Sequence, residues 1–331
     1  LAVVAGLLLC LCAGLRLIAV HGQGLWADEV FSLAMATGHS LEHPAAAADA
    51  AQGDYVEEPA AVAASRYQAY MKHDRPPAGP ARVTRAVLMS DTSPPLYYLV
   101  LSGWTRITGT GDMALRGFSI LWALACLPLL WSLGREVSGK TTAFIACVLF
   151  TLAPVSIHYS TEARMYSMLW WFALASVLTT MRLHGTGLGK YNFIAWVICF
   201  VAGFYTHYFF IFVMATCFAW VFVFPGRLAR RWTILGACLV SLCALPWLLR
   251  LPASLAQWRV TGDWLNGFPG WEAMPKACAM LGWSFVSGWG CWGYQAWGAY
   301  LAAAVIGIVL VILAWRFVFR SRPPQHIMLY A

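Results

Sequence analysis

Long apolar runs dominate this chain, in place of the short alternations that mark the half-buried elements of a soluble domain. Runs near the roughly 20 residues that cross a bilayer as a helix cover 1–20, 112–134, 141–158, 165–183, 191–206, 208–225, 232–250 and 296–315. They predict eight transmembrane helices and an all-α polytopic membrane protein, since a segment in lipid must satisfy its own backbone hydrogen bonds. Pro154 and Pro246 fall near the ends of their runs, where a missing backbone N–H is tolerated.

The polar segments between the runs set the topology. Arg135 and Lys140, then Arg182 and Lys190, then Arg227, Arg230 and Arg231, then Arg316, Arg320 and Arg322 flank alternate connections. Basic residues in short loops mark the cytoplasmic side, so the segments at 21–111, 159–164, 207 and 251–295 are expected on the outer side. The stretch from Pro94 to Ile107 is apolar but only about 13 residues long, a length typical of interfacial helices; it is read as a juxtamembrane helix with its tyrosines at the headgroup level. The Ala-rich, mixed-charge stretch 44–85 predicts helices separated by Pro76-Pro77 and Gly79-Pro80, packed as a small cap. Two regions follow: a catalytic transmembrane module at 1–225, with outer loops at 21–111 and 159–164, and additional helices at 226–331 with an outer loop at 251–295. A start at Leu1 and a new apolar run at 326–331 predict a C-terminally truncated fragment.

Composition agrees with this class and removes others. The 331 residues are 60% apolar, 11% charged and 15% aromatic, far from the roughly 45–50% apolar and 25% charged of soluble domains. The formal net charge of +8 arises from loop clusters rather than an aromatic-lined basic face, which argues against nucleic acid as a partner. Eight of the ten cysteines fall inside predicted spans, where a thiol acts as a small buried hydrophobe. Cys278 and Cys291 are the pair a bridge could join on the oxidising side. Arg16 and the Trp283, Trp289, Trp292 and Trp297 group read as a snorkelling residue and an aromatic belt.

Against so apolar a background, the remaining charges stand out. Trp26-Ala27-Asp28-Glu29 puts two adjacent carboxylates just beyond the first run, and ionisable groups at a membrane boundary are functional candidates by default. The bland alternative is an acidic N-terminal cap on a helix starting at Phe31. Asp91 before Pro94-Pro95, Arg116 at the start of the second run, His158 through Tyr166 between the third and fourth, and His207-Tyr208 between the fifth and sixth fall on the same predicted side. The bland readings are headgroup snorkelling for Arg116 and Arg164, and packing for His158 and His207. Glu162 and Arg164, two apart, would point to different sides of a helix.

The order Asp28-Glu29, Pro94-Pro95-Leu96-Tyr97-Tyr98, Leu115-Arg116, Leu133-Gly134-Arg135, Pro154, Glu162-Ala163-Arg164-Met165-Tyr166 and Thr206-His207-Tyr208 resembles the glycosyltransferase family 39 superfamily. Its members include protein O-mannosyltransferases, lipid A aminoarabinose transferases and lipopolysaccharide-core galacturonosyltransferases. The resemblance runs from Leu1 to Phe224 and implies a C-type glycosyltransferase fold. It also implies transfer, with inversion, of a sugar from a polyprenyl-phosphate carrier to a hydroxyl acceptor on a glycan, lipid or protein, at the periplasmic or extracellular face of the plasma (inner) membrane. By position, Asp28 matches the family's catalytic acid, Glu29 its neighbour and Glu162 the second acidic site. Where the aminoarabinose transferases carry Glu-Lys before the proline pair, this chain has Thr92-Ser93, which points toward a neutral sugar.

The chemistry gives each residue an expected role. Displacing phosphate at an anomeric carbon needs a base for the acceptor's proton, here Asp28, and cations where charge develops on the leaving group, here Arg164 and Arg116. Glu162, His158, His207, Tyr166, Asp91 and Tyr97 are expected to orient substrate, and Asp28, Glu162 and His158 are the candidate ligands of a divalent cation (Mg, Mn or Zn). The rival class is a transporter or lipid flippase, which would gather its charges near the bilayer midplane within repeated halves; no repeat is evident here. A noncatalytic subunit that contributes a cap to a larger complex is the third reading.

Overall fold

The computed structural model describes residues 2–43, 47–58, 60–91, 93–224 and 226–253. All regular structure among them is helical: α1 (Ala2–Val20), α2 (Ala27–Thr37), α3 (Ala64–Gln68), α4 (Pro80–Ser90), α5 (Leu96–Thr108), α6 (Asp112–Ser138), α7 (Lys140–Leu152), α8 (Pro154–Thr161), α9 (Tyr166–Thr186), α10 (Lys190–Thr206), α11 (Phe210–Val223) and α12 (Arg230–Leu248), with short 3-10 turns at Ala50–Gln52 and Ala69–Met71. The runs in α1, α6 and α12 are long and apolar enough to cross a membrane, and α7 with α8 makes a fourth if that bent pair is one span. The chain is a helical membrane protein. The runs at 165–183, 191–206 and 208–225 form α9, α10 and the shorter apolar α11. The run at 296–315, the outer loop beyond residue 253, Cys278, Cys291 and the Trp283–Trp297 group lie outside the described residues.

The chain divides into two compact units, Leu1–Val148 with Ser160–Thr261, and Leu149–Tyr159 with Gly262–Ala331. In the second unit the described residues are the end of α7 and most of α8, where the rings of His158 and Tyr159 meet edge to face at 5.0 Å.

The first unit is built on the parallel pair α6 and α9. Ser119 Oγ donates to Arg164 O near one end and Arg182 Nε donates to Glu136 Oε1 at the other. The indoles of Trp122 and Trp171 pack 5.5 Å apart between them. At 1.5 Å rise per residue, Arg116 and Glu136 stand about 30 Å apart along α6. Arg135, Arg182 and Arg227, whose N–H donates to His184 O, thus occupy the end opposite Arg116. α10 returns antiparallel to α9, with the buried indole of Trp196 donating to Thr180 Oγ1 at 2.8 Å, so that its one polar atom is satisfied in the core. Gly203 on α10 is required by packing, because a Cβ there would run into the ring of Phe210 on α11.

The long first loop folds into α2 to α5. α5 has the 13 residues expected of the juxtamembrane segment and buries Tyr97, Tyr98 and Leu101 on one side while Ile107 is exposed. α3 and α4 lie on either side of the Pro76-Pro77 and Gly79-Pro80 breaks, and Pro80 takes the first position of α4, where its missing N–H costs nothing. Buried Asp54 accepts a bidentate pair from Arg85, Nη1 to Oδ1 and Nη2 to Oδ2, both 2.7 Å. Arg82 ties Asp74 at 2.7 Å to the carbonyl of Gly38 at 3.0 Å. These pairs fix the loop as a structured cap.

Candidate active site

The two acids of the Trp26-Ala27-Asp28-Glu29 segment have opposite surroundings. The helix begins at Ala27, not at Phe31, so both carboxylates fall in its first turn, where free N–H groups and the helix dipole favour negative charge. Glu29, at the third helical position, reaches back to accept from Trp26 N–H at 3.1 Å, one half of a capping box. The same carboxylate is wholly buried and accepts from Arg116 Nε at 3.0 Å and Nη2 at 2.7 Å, and from the backbone N–H of Ala163 at 2.8 Å. Glu29 thereby joins three segments: the start of α2, the first turns of α6 and the loop before α9.

Arg116 spends four of its five N–H donors in this way. Beyond Glu29, its Nη1 donates to Gln23 O at 2.7 Å and its Nη2 to Gly24 O at 2.8 Å, and it is buried. The sequence reading gave it to a headgroup or to a donor phosphate; its guanidinium instead pins the chain that links α1 to α2.

Asp28, one residue earlier, points away from this hub. Its side chain is 41% exposed and its Oδ2 lies 3.7 Å from Nη2 of Arg164, whose side chain is 14% exposed. That separation is an ion pair without a close hydrogen bond. Arg164 Nη1 also donates to Ser32 Oγ at 3.2 Å and reaches Asp28 O at 3.4 Å, while its buried Nε has no hydrogen-bond partner among the described residues. Burial opposes the charge on Arg164, but Tyr98, Tyr166, Asp28 and Asp91 outweigh it, so its pKa is raised. It stays cationic.

Glu162, Ala163 and Arg164 lie between α8 and α9 outside any helix, so the two-residue spacing that would separate Glu162 from Arg164 on a helix does not apply. Glu162 is half-buried and Tyr166 opens α9. Asp91 ends α4 and accepts from Ser93 N–H at 3.0 Å and Tyr98 Oη at 2.9 Å. Tyr97 is fully buried against the ring of Phe118, and burial pushes the phenols of Tyr97 and Tyr98 well up. His207 ends α10, and its Nδ1 accepts from Phe209 N–H at 3.0 Å, which leaves the proton of the neutral ring on Nε2. Burial first, then the Arg164 charge, pushes the His207 pKa down against the pull of Asp91.

Residues Asp28, Glu29, Asp91, Arg116, Glu162, Arg164, Tyr166 and His207 thus belong to one end of the first unit. His158 belongs to the second unit. Among the described residues no group of three or more His, Cys, Asp or Glu side chains is placed to hold a metal ion. Sequence reasoning missed three participants. Arg16, read as snorkelling, is wholly buried in α1, with Nε donating to Ser160 Oγ at 2.6 Å and Nη1 to Cys12 O at 3.1 Å. Ser32 and Tyr98 are the others. The signal for Ser32 was its place four residues after Asp28, on the same helical face; a partner 144 positions along the chain leaves no local signal for Arg16.

Arg164 thus lies 3.7 Å from Asp28 and near enough to the phenol of Tyr98 for that group to raise its pKa. Residues 92–249 match the family model of the dolichyl-phosphate-mannose-protein mannosyltransferases. The match covers Arg116, Glu162, Arg164 and His207, while α2, with Asp28 and Glu29, precedes it. Neither the curated proteins nor the solved structures contain a significant match.

Proposed function

We propose that the chain is an inverting glycosyltransferase that moves a sugar from a polyprenyl-phosphate carrier to a hydroxyl acceptor at the outer face of the membrane. The observation that carries this reading is the contrast between neighbours: Glu29 is sequestered by Arg116 and Ala163, whereas Asp28 stays half-open, 3.7 Å from a cation that keeps an unused donor. A base must reach its substrate. Of the two acids, Asp28 alone has room for one.

In the proposed reaction the acceptor oxygen attacks the anomeric carbon and the bond from that carbon to the phosphate oxygen breaks. The electron pair leaves with the phosphate, and the acceptor's proton passes to Asp28. Arg164 meets the phosphate with the accessible edge of its guanidinium beside Asp28, a planar cation suited to phosphate oxygens. Ser32 and Asp28 O hold the guanidinium in place beforehand, so little reorganisation is needed as charge develops. His207, neutral and carrying its proton on Nε2, and Glu162 flank the acceptor side. The outward orientation is supported by the position of this cluster at the end opposite Arg135, Arg182 and Arg227, since basic short loops face the cytoplasm. The polyprenyl carrier is supported by the dolichyl-phosphate-mannose donor in the matched family's description.

The test is chemical. Purified protein in liposomes is given polyprenyl-phosphate mannose and mixed envelope glycolipids and proteins, and the products are read by mass spectrometry and by anomeric NMR. Sugar on a hydroxyl with inverted configuration supports the reading; consumption of no polyprenyl-phosphate sugar removes it.

A further inference from the structure

The first loop carries a cleft that none of the chemistry above uses. It has a volume of about 240 Å³ and is lined by Val30, Leu41, Tyr55, Tyr67, Tyr70 and Met71. Three of the six lining residues are tyrosines: Tyr55 lies 5.9 Å from Tyr67 and 5.7 Å edge-on from Tyr70. The cleft is built in advance. Tyr70 is held by the edge of His39 at 5.7 Å and by Thr37 Oγ1, which donates to Tyr70 O at 3.1 Å. His39 in turn lies 3.4 Å from Asp74, which Arg82 anchors.

Its position joins it to the Asp28 site. Val30 is one residue beyond Glu29 on α2, and Met71 packs against the cluster of Leu33, Leu115 and Ala163, whose Ala163 N–H is held by Glu29. One helix therefore presents Asp28 and Ser32 to Arg164 and, on another side, Val30 to the tyrosines.

We infer that this cleft is an acceptor subsite that stacks a saccharide ring, a proposal that rests on the glycosyltransferase reading. A pyranose has a face of C–H groups, which packs on the electron-rich face of an aromatic ring, and equatorial hydroxyls, which stay hydrated at an open mouth. An almost wholly apolar lining in which three of six residues are tyrosines suits the C–H face of that ring. A lipid tail does not fit the location, because Tyr55, Tyr67 and Tyr70 lie in the charged cap, with Glu58 and Arg66 paired beside them, and not in an apolar run. Tyr67 is 39% exposed, so its ring can be reached from solvent.

The experiment is saturation-transfer NMR on the full chain in nanodiscs, with the methyl glycosides of mannose, glucose and galactose as probes, on wild type, Tyr67→Ala, Tyr67→Phe, Val30→Trp and Asp28→Asn. The expected result is transfer to at least one glycoside in wild type, Tyr67→Phe and Asp28→Asn, with a fivefold or greater loss in Tyr67→Ala and Val30→Trp. No transfer in wild type, or equal transfer in Tyr67→Ala and Val30→Trp, overturns the subsite. Binding that survives in Asp28→Asn while the wild type consumes no polyprenyl-phosphate sugar would keep the subsite and remove the glycosyltransferase reading, so the two failures are distinguishable.

Discussion

Glu29 and Arg116, 87 positions apart, meet in a wholly buried two-point pair, Nε to Oε1 at 3.0 Å and Nη2 to Oε2 at 2.7 Å. The same carboxylate caps α2 and holds the Ala163 N–H. A pair of this kind can cost as much in desolvation as it returns in attraction, but removing one partner strands a buried charge, at about 3–5 kcal/mol. Arg116→Met and Glu29→Gln should therefore lower the unfolding midpoint in detergent steeply, and Arg116→Lys should fail to restore it because an ammonium cannot make the fork. The exposed pair Arg182 and Glu136 is the internal control: breaking it should cost under about 1 kcal/mol.

Arg164 differs from Arg116 in that its Nε has no hydrogen-bond partner among the described residues. Replacing it with lysine keeps the charge and removes the planar guanidinium, so the KM for the polyprenyl-phosphate sugar should rise about tenfold or more, the worth of one charge-assisted hydrogen bond, with the unfolding midpoint little changed. Donor kinetics equal to wild type would assign Arg164 to lipid headgroups. Steady-state rates at varied donor and fixed acceptor decide it.

The helical runs and the 13-residue α5 were legible in the sequence, because apolar length is a local fact. What the sequence hid was the division of labour between Asp28 and Glu29. Adjacent residues in a first helical turn point about 100° apart, so one can face a guanidinium 87 positions away while the other faces an opening, and nothing in the tetrapeptide says which. Arg16 was misread for the same reason: the pattern shows a cation inside an apolar run but not the Ser160 hydroxyl that receives it. The start of α2 at Ala27 was missed because Trp26 is a poor capping residue; the reach of Glu29 back to its N–H substitutes for a cap.

Two histidines make stability depend on pH. Burial is the first cause that depresses both His39 and His207; Arg82 adds to it at His39, and Arg164 at His207. A folded-state pKa below the ordinary value of about 6.5 means that the unfolded chain takes up the proton first. The stability these sites contribute is full above about pH 6.5 and falls as pH drops toward their folded values. The unfolding midpoint should decline from pH 7.5 to 5.5, and His207→Gln should decline less steeply over that window. Parallel slopes for wild type and variant would show that His207 does not titrate there.

Packing between α10 and α11 sets a steric limit. A Cβ at Gly203 collides with the Phe210 ring, and overpacking of a filled core costs about 1–3 kcal/mol. Gly203→Ala should lower the midpoint, and Phe210→Leu in the same chain should recover part of the loss. Additive losses in the double variant would contradict the contact.

The most direct test of the account compares adjacent acids in one assay: single-turnover sugar transfer by purified Asp28→Asn and wild type in the same bilayer, alongside their unfolding midpoints. Loss of a general base is worth about 10²–10⁴ in rate, so Asp28→Asn should lose that factor while its midpoint matches wild type. A rate within a few-fold of wild type would contradict the assignment of Asp28 as the base, and with it the mechanism proposed for this site.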